Sequence, residues 1–203
     1  MRKITKLMMV VAMVGATALA EEPLTCSLSV SPLKGESTVK KTEGGGGGRG
    51  GSKSTTVFER NLKYKAVASF YGQTPEKPVL KVWYIGTGDG GKEMIEVGKA
   101  EHPLELDEKR RAQIELASPM AKLVKTKTTT RSGGGGRRGR RGGGSVSTKS
   151  ETTGDRVTGC VIQVFAGDQL MKSWVSDSRW AKAARNPSFS LELIDPKSAR
   201  NQK

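Results

Sequence analysis

The chain has 203 residues, of which 34% are hydrophobic and 26 are glycine, and it carries a formal net charge of +15. That length supports one sizeable core but not two large domains, and the low apolar share excludes a packed interior running through all of it. The basic excess directs attention to anionic partners, and a single histidine, His102, leaves histidine-based catalysis and metal clusters almost without parts.

The chain opens with a cationic "MRKITK", an uncharged "LMMVVAMVGATA" and the small-x-small triplet Ala18-Leu19-Ala20. This is the pattern of a signal peptide covering residues 1–20, cleaved before Glu21. Export follows, to a periplasmic, cell-surface or extracellular location, with residues 21–203 as one domain. The apolar run is too short to span a bilayer comfortably and no other stretch approaches the roughly 20 apolar residues required, so no transmembrane span is expected after cleavage. Pro23-Leu24-Thr25 before Cys26 lacks the small-residue context of a lipid-attachment site.

Past the signal, side chains alternate with period two. Cys26, Leu28 and Val30 form one such set; Leu62, Tyr64, Ala66, Ala68 and Phe70 form another, with lysines between them, as in a strand with one buried and one wet face. "VLKVWYI", Val79 to Ile85, is apolar on both faces and reads as a central strand. Trp83 and Tyr84 fall on its opposite faces, which leaves one of them a candidate for exposure.

"GTGDGG", Gly86 to Gly91, matches a G-x-G-x-x-G phosphate-binding pattern, but Glu93 stands where a P-loop needs Ser or Thr, and "KEMIEVG" is no helix. Six turn-prone residues between two strands make a hairpin. His102, followed by Pro103, reads as an exposed loop residue. "AQIEL" adds an alternating set; "RVTGCVIQVF", "AGDQ" and "LMKSWVS" are strand, turn and return strand. One short C-terminal helix is expected over "SDSRWAKAARN", capped by Ser176 or Asp177 and stopped by Pro187. Seven to nine short strands in all give an all-β fold, an antiparallel β-sandwich.

Two low-complexity insertions interrupt this pattern, at about 40–56 and 125–155. Each has a Ser/Thr/Lys shoulder, a glycine and arginine centre, and a second shoulder. Their expected form is a long loop, disordered at the centre, with strand pairing extending some way up the Thr-rich shoulders. From Lys122 to Lys149 there are nine basic residues and no acidic one. The candidate anion-contacting residues are therefore Arg49, Arg137, Arg138, Arg140 and Arg141. Ordering twelve glycine-rich residues costs roughly 12–24 kcal/mol, against roughly 6–12 kcal/mol from four charge-assisted contacts, so attraction is expected to be weak and salt-sensitive.

Two cysteines remain, Cys26 and Cys160. In an oxidising compartment they are a possible disulfide, closing a long loop for roughly 4–5 kcal/mol; the alternative is two separate small apolar strand residues. No catalytic residue, metal site or cofactor is assigned, since Cys160 sits in an apolar run and the acid pairs near Asp107 have no partner chemistry.

The opening "SLSVSPLKGES", the pair "LKYKAVASF" and "VLKVWYIG", and the closing "GCVIQVFAGDQLMKSW" together resemble immunoglobulin-like or fibronectin-type-III-like sandwiches, in particular exported proteins of unknown function from planctomycete and verrucomicrobial bacteria. The resemblance implies a sandwich fold and no shared reaction. The functional expectation is an exported, non-enzymatic binding or scaffold module attracted to anionic polymers such as glycans, envelope phosphates or extracellular DNA. The alternative is nucleic-acid binding through the glycine-arginine tracts as RGG-like segments.

Overall fold

The structure is a computed structural model, and it describes residues 22–44, 51–89, 91, 93–131 and 146–195. Eleven antiparallel strands are present among them: β1 (Thr25–Leu33), β2 (Ser37–Gly44), β3 (Gly51–Arg60), β4 (Lys63–Tyr71), β5 (Pro78–Gly88), β6 (Glu93–Pro103), β7 (Arg111–Ala117), β8 (Ala121–Arg131), β9 (Val146–Gly154), β10 (Arg156–Ala166) and β11 (Gln169–Val175). They form three sheets, in the orders β1-β4-β7, β11-β10-β5-β6 and β2-β3-β8-β9.

The first two sheets face each other across one core. Alternation along β4 turns Tyr64, Ala66, Ala68 and Phe70 inward, where they meet Leu80, Val82 and Tyr84 of β5 and Cys160, Ile162 and Val164 of β10. Burying each of the larger side chains stabilises the fold by roughly 1.5–3 kcal/mol. Strand β5 lies between β10 and β6, and both of its faces are covered. Tyr84 joins the main core while Trp83 joins a second cluster, so neither is exposed.

That second cluster is made by the C-terminal segment folding over the outer face of the four-stranded sheet. Trp180, Ala184 and Phe189 pack on Trp83, Ile85 and Val161, with Phe189 edge-on to Trp83 at 5.1 Å. The amide of the wholly buried Gln163 fastens the segment, Nε2 donating to the carbonyls of Ala184 (2.9 Å) and Asn186 (2.7 Å). The expected single helix is replaced by 3-10 turns at Ser178–Trp180, Ala183–Arg185 and Leu191–Leu193. Asp177 does cap the first, accepting from the Arg179 amide. Ala181 and Lys182 between the first two turns keep helical dihedrals, so Trp180 and Ala184, four residues apart, reach one apolar surface.

The third sheet bears out strand pairing on the Thr-rich shoulders of the insertions and carries it farther than expected, while their glycine-arginine centres lie outside the described residues. Their shoulders are strands: residues 40–44 and 51–56 belong to β2 and β3, and residues 125–131 and 146–154 to β8 and β9. These four strands account for the excess over the expected seven to nine. The sheet, here called the ribbon, prolongs the three-stranded sheet: β1 runs on into β2, β3 into β4 and β7 into β8. Strand β9 pairs with β8 and then leaves, continuing as β10 in the opposite sheet.

Hydrogen bonds secure the level at which core gives way to ribbon. Asn61 Oδ1 accepts from the Glu36 amide at 2.7 Å, and Lys63 pairs with the Glu36 carboxylate at 2.7 Å. Ser118 exchanges two bonds with the Leu62 backbone, each 2.9 Å. Arg60 pairs with Ala121 and Lys63 with Ala117, so three residues of the β7–β8 connection oppose two of β3–β4. This bulge keeps the inward face of the three-stranded sheet in phase with one face of the ribbon.

Candidate functional site

The ribbon carries a marked basic excess. Its strands carry Lys40, Lys41, Lys53, Lys122, Lys125, Lys127 and Lys149, all exposed, against Glu43, Glu59 and Glu151. Register divides them between the faces. Phe58 pairs with Val39 and Leu123, Thr56 with Lys41 and Lys125, and Ser54 with Glu43 and Lys127. These residues share the face that continues the core, along with Arg60. The other face holds Lys40, Lys53, Lys122 and Lys149 with Glu59 and Glu151. Some of this charge is internally balanced: Lys41 holds the Glu43 carboxyl below its ordinary range by a direct hydrogen bond, and Glu59 accepts from Thr38 at 3.1 Å. Exposed pairs of this kind contribute little stability. Lysines outnumber glutamates seven to three, and the excess is open to solvent and therefore screened by salt.

Where β9 departs for the opposite sheet, the core face of the ribbon and the start of β10 diverge and leave a cavity of about 260 Å³. It is lined by Ser37, Phe58, Arg60, Ala121, Leu123, Lys125, Asp155, Arg156 and Val157. Ala121 and Val157 are buried, Phe58 and Leu123 half-buried, while Arg60, Lys125, Asp155 and Arg156 are exposed. The result is an apolar floor under a charged rim. The Lys125 ammonium lies 5.4 Å from the centre of the Phe58 ring, within cation–π range. Gly154 makes the departure possible. Its φ is +94°, and a Cβ there would lie 2.3 Å from the Lys122 carbonyl oxygen, which accepts from the Asp155 amide at 2.9 Å.

The arginines singled out from sequence, Arg49, Arg137, Arg138, Arg140 and Arg141, lie outside the described residues. Their anchor points do not: residues 45–50 connect β2 to β3 and residues 132–145 connect β8 to β9, and Gly51 pairs with Thr130 while Arg131 pairs with Val146. Both tracts are thus attached at the end of the ribbon farthest from the core.

Cys26 and Cys160 are free thiols in the structure, not a disulfide. Cys26 is half-buried on β1, its Sγ directed at the Ser27 carbonyl, and Cys160 is fully buried on β10 in the opposite sheet. Burial pushes the Cys26 thiol up to about 11, with Lys172 opposing, and the Cys160 thiol up to about 12, with a Tyr64 hydrogen bond opposing. Such thiols are packing, not nucleophiles.

The remaining sequence candidates lie outside the cavity lining. "GTGDGG" is a hairpin, Gly88 pairing with Glu93 and the Gly91 amide donating to the Gly88 carbonyl at 2.9 Å. His102 is not in a loop; it sits half-buried on β6 opposite Leu80. Among the described residues no group of three or more His, Cys, Asp or Glu side chains is placed to hold a metal, and no helix is long and apolar enough to cross a membrane. The cavity residues were missed by sequence reading. Their only signal was the brief alternation in "VFER" and "AKLVK" beside polar shoulders. Comparison of the chain with family models, with curated proteins and with solved structures finds no match in any of the three.

Proposed function

We propose that this chain is an exported, non-enzymatic binding or scaffold module of immunoglobulin-like type, whose basic ribbon attracts anionic polymers weakly and in a salt-dependent way. The strand orders support the immunoglobulin-like part. A three-stranded sheet β1-β4-β7 facing a four-stranded sheet β11-β10-β5-β6 matches the A-B-E and G-F-C-C′ arrangement of such sandwiches. In those terms the ribbon grows from the A–B and E–F connections. Export rests on the N-terminal pattern of residues 1–20.

The observation that carries the functional reading is the ribbon itself: a four-stranded sheet whose edge strands are almost wholly exposed and whose buried side chains are confined to the end nearest the core, with seven exposed lysines against three glutamates. A sheet that buries so little of either face contributes little to a core, so its charge pattern is free to serve recognition. The arginines of the two tracts, outside the described residues, add to the chain's formal positive charge. The nucleic-acid reading is the weaker one, because Phe58 is the only aromatic residue on the ribbon strands and both tracts lack any.

Retention on a heparin column tests this. Replacing Lys41, Lys125 and Lys127 with Gln is expected to lower the elution salt, and adding Gln at Arg137, Arg138, Arg140 and Arg141 to lower it further. Unchanged elution in both variants overturns the proposal. A cytoplasmic pool of the full-length chain on cell fractionation would favour the nucleic-acid reading instead.

A further inference from the structure

We propose that the cavity at the root of the ribbon is a specific subsite for one uronate unit of an anionic polysaccharide, its sugar ring over Ala121, Leu123 and Val157 and its carboxylate held by Arg60 and Arg156. This deepens, and rests on, the reading of the ribbon as a polyanion-attracting surface.

The chemistry of the lining selects the ligand. Three cations, Arg60, Lys125 and Arg156, surround the opening, against one carboxylate, Asp155. Among the described residues neither guanidinium has an ion-pair or hydrogen-bond partner, so both forks are free for a planar, bidentate anion. The floor is apolar, which a bare inorganic anion does not use and the C–H face of a sugar ring does. Asp155 accepts hydrogen bonds and repels anions; a hydroxyl-bearing ring satisfies it, whereas sulfate, which has no proton to donate, does not.

Size and surroundings suit one ring of a longer anionic chain. A volume of about 260 Å³ lies below that of most drug-sized sites and suits one ring with its substituents. The cavity opens onto the ribbon face bearing Lys41 and Lys127, with Lys125 and Lys127 two residues apart on one strand, about 6.8 Å along it. Neighbouring units of a chain seated in the cavity would therefore meet further cations. Successive bases would not find what they need, because the one aromatic ring, Phe58, already carries the Lys125 ammonium over its face.

The experiment is titration of the intact chain with trigalacturonate, its methyl ester, inorganic sulfate and a ten-residue oligothymidylate, followed by calorimetry. Trigalacturonate is expected to bind saturably and its neutral ester not to bind. Arg60→Gln and Arg156→Gln are each expected to weaken trigalacturonate by roughly tenfold. Ser37→Trp, at an exposed edge position, fills the cavity mouth with every charge retained and is expected to abolish binding. Asp155→Asn is expected to weaken trigalacturonate severalfold while strengthening sulfate.

Unchanged affinity in Ser37→Trp, with its denaturation midpoint also unchanged, overturns the subsite. So does tighter binding of both ligands in Asp155→Asn, which would mark a plain anion site, or stronger binding of the oligothymidylate with the same arginine dependence. Heparin retention separates the two levels. Lysine-dependent retention with no saturable trigalacturonate binding leaves the ribbon reading standing and removes only the subsite.

Discussion

The sandwich and the ribbon are built from the same chain segments and the same antiparallel ladders, yet they differ in what those ladders enclose. In the sandwich Ala66, Leu80, Val82, Cys160, Ile162 and Val164 are wholly buried. In the ribbon every residue of β2 is exposed and most of β9 is too. Hydrogen bonds set geometry in both regions, since each backbone pair gains only about 0.5–1.5 kcal/mol net of its lost water bonds. Burial decides stability, and the sandwich holds nearly all of it, Ala121 being the one buried residue among the described ribbon side chains. The ribbon persists because its strands leave the core already paired and in register, and because threonine-rich rows such as Thr42-Thr55-Thr126 suit extended backbone. Solvated strands of this kind are free to vary in charge where core strands are not.

The largest expected effect is therefore an asymmetry between the regions. Ile162→Ala removes a fully buried side chain from the main core and is expected to cost roughly 2–5 kcal/mol by urea denaturation. Thr126→Ala, at the middle of the ribbon, is expected to stay within about 0.5 kcal/mol. A ribbon substitution costing as much as the core one would show that the ribbon has a core of its own and break the comparison.

The junction should fall between these limits. Gly154→Ala forces a side chain into a left-handed conformation and onto the Lys122 carbonyl, for an expected loss of roughly 1–3 kcal/mol. Because Gly154 is where β9 changes sheets, amide exchange in β8 and β9 should accelerate more than in β5. Asn61→Ala leaves the Glu36 amide without its acceptor and is expected to cost about 1–2 kcal/mol, with faster exchange at Glu36 and Ser37. Uniform acceleration across the whole molecule would mean that ribbon and sandwich open together.

The same contrast explains what could be read in the sequence. Strands β4, β5 and β10 announce themselves because burial imposes a pattern: alternation where one face is covered, as at Tyr64 to Phe70, and continuous apolar character where both are, as at Val79 to Ile85. The ribbon strands have no buried face over most of their length, so nothing forces Thr126 to Arg131 or Val146 to Gly154 into a hydrophobic period. The Thr, Ser and Lys content that makes a good solvated strand is also the content of a linker. The cavity was invisible for another reason. Arg60, Lys125 and Arg156 come from β3, β8 and β10, and only the sheet-switch at Gly154 and Asp155 brings them around one floor.

The smallest expected effect is on pH dependence, and it places the two cysteines firmly on the sandwich side of the comparison. Burial raises the Cys26 thiol from an ordinary value near 9 to about 11 and the Cys160 thiol to about 12, because the thiolate is the form that the apolar core disfavours. Below pH 9 both folded and unfolded chains keep these protons, and the thiols make stability no more pH-dependent. Above it the unfolded chain releases them first and binds fewer protons than the native state, so stability falls as pH rises toward 11 and 12. Buried Tyr64, pushed up to about 12, acts in the same direction over the upper part of that range. Urea midpoints are expected to decline between pH 9 and 11, less steeply in Cys26→Ala. At pH 8 iodoacetamide should label Cys160 only after urea is added. Rapid native labelling, or a Cys26–Cys160 bridge in non-reducing mass spectrometry, would remove the thiols from the packed interior and this part of the contrast with them.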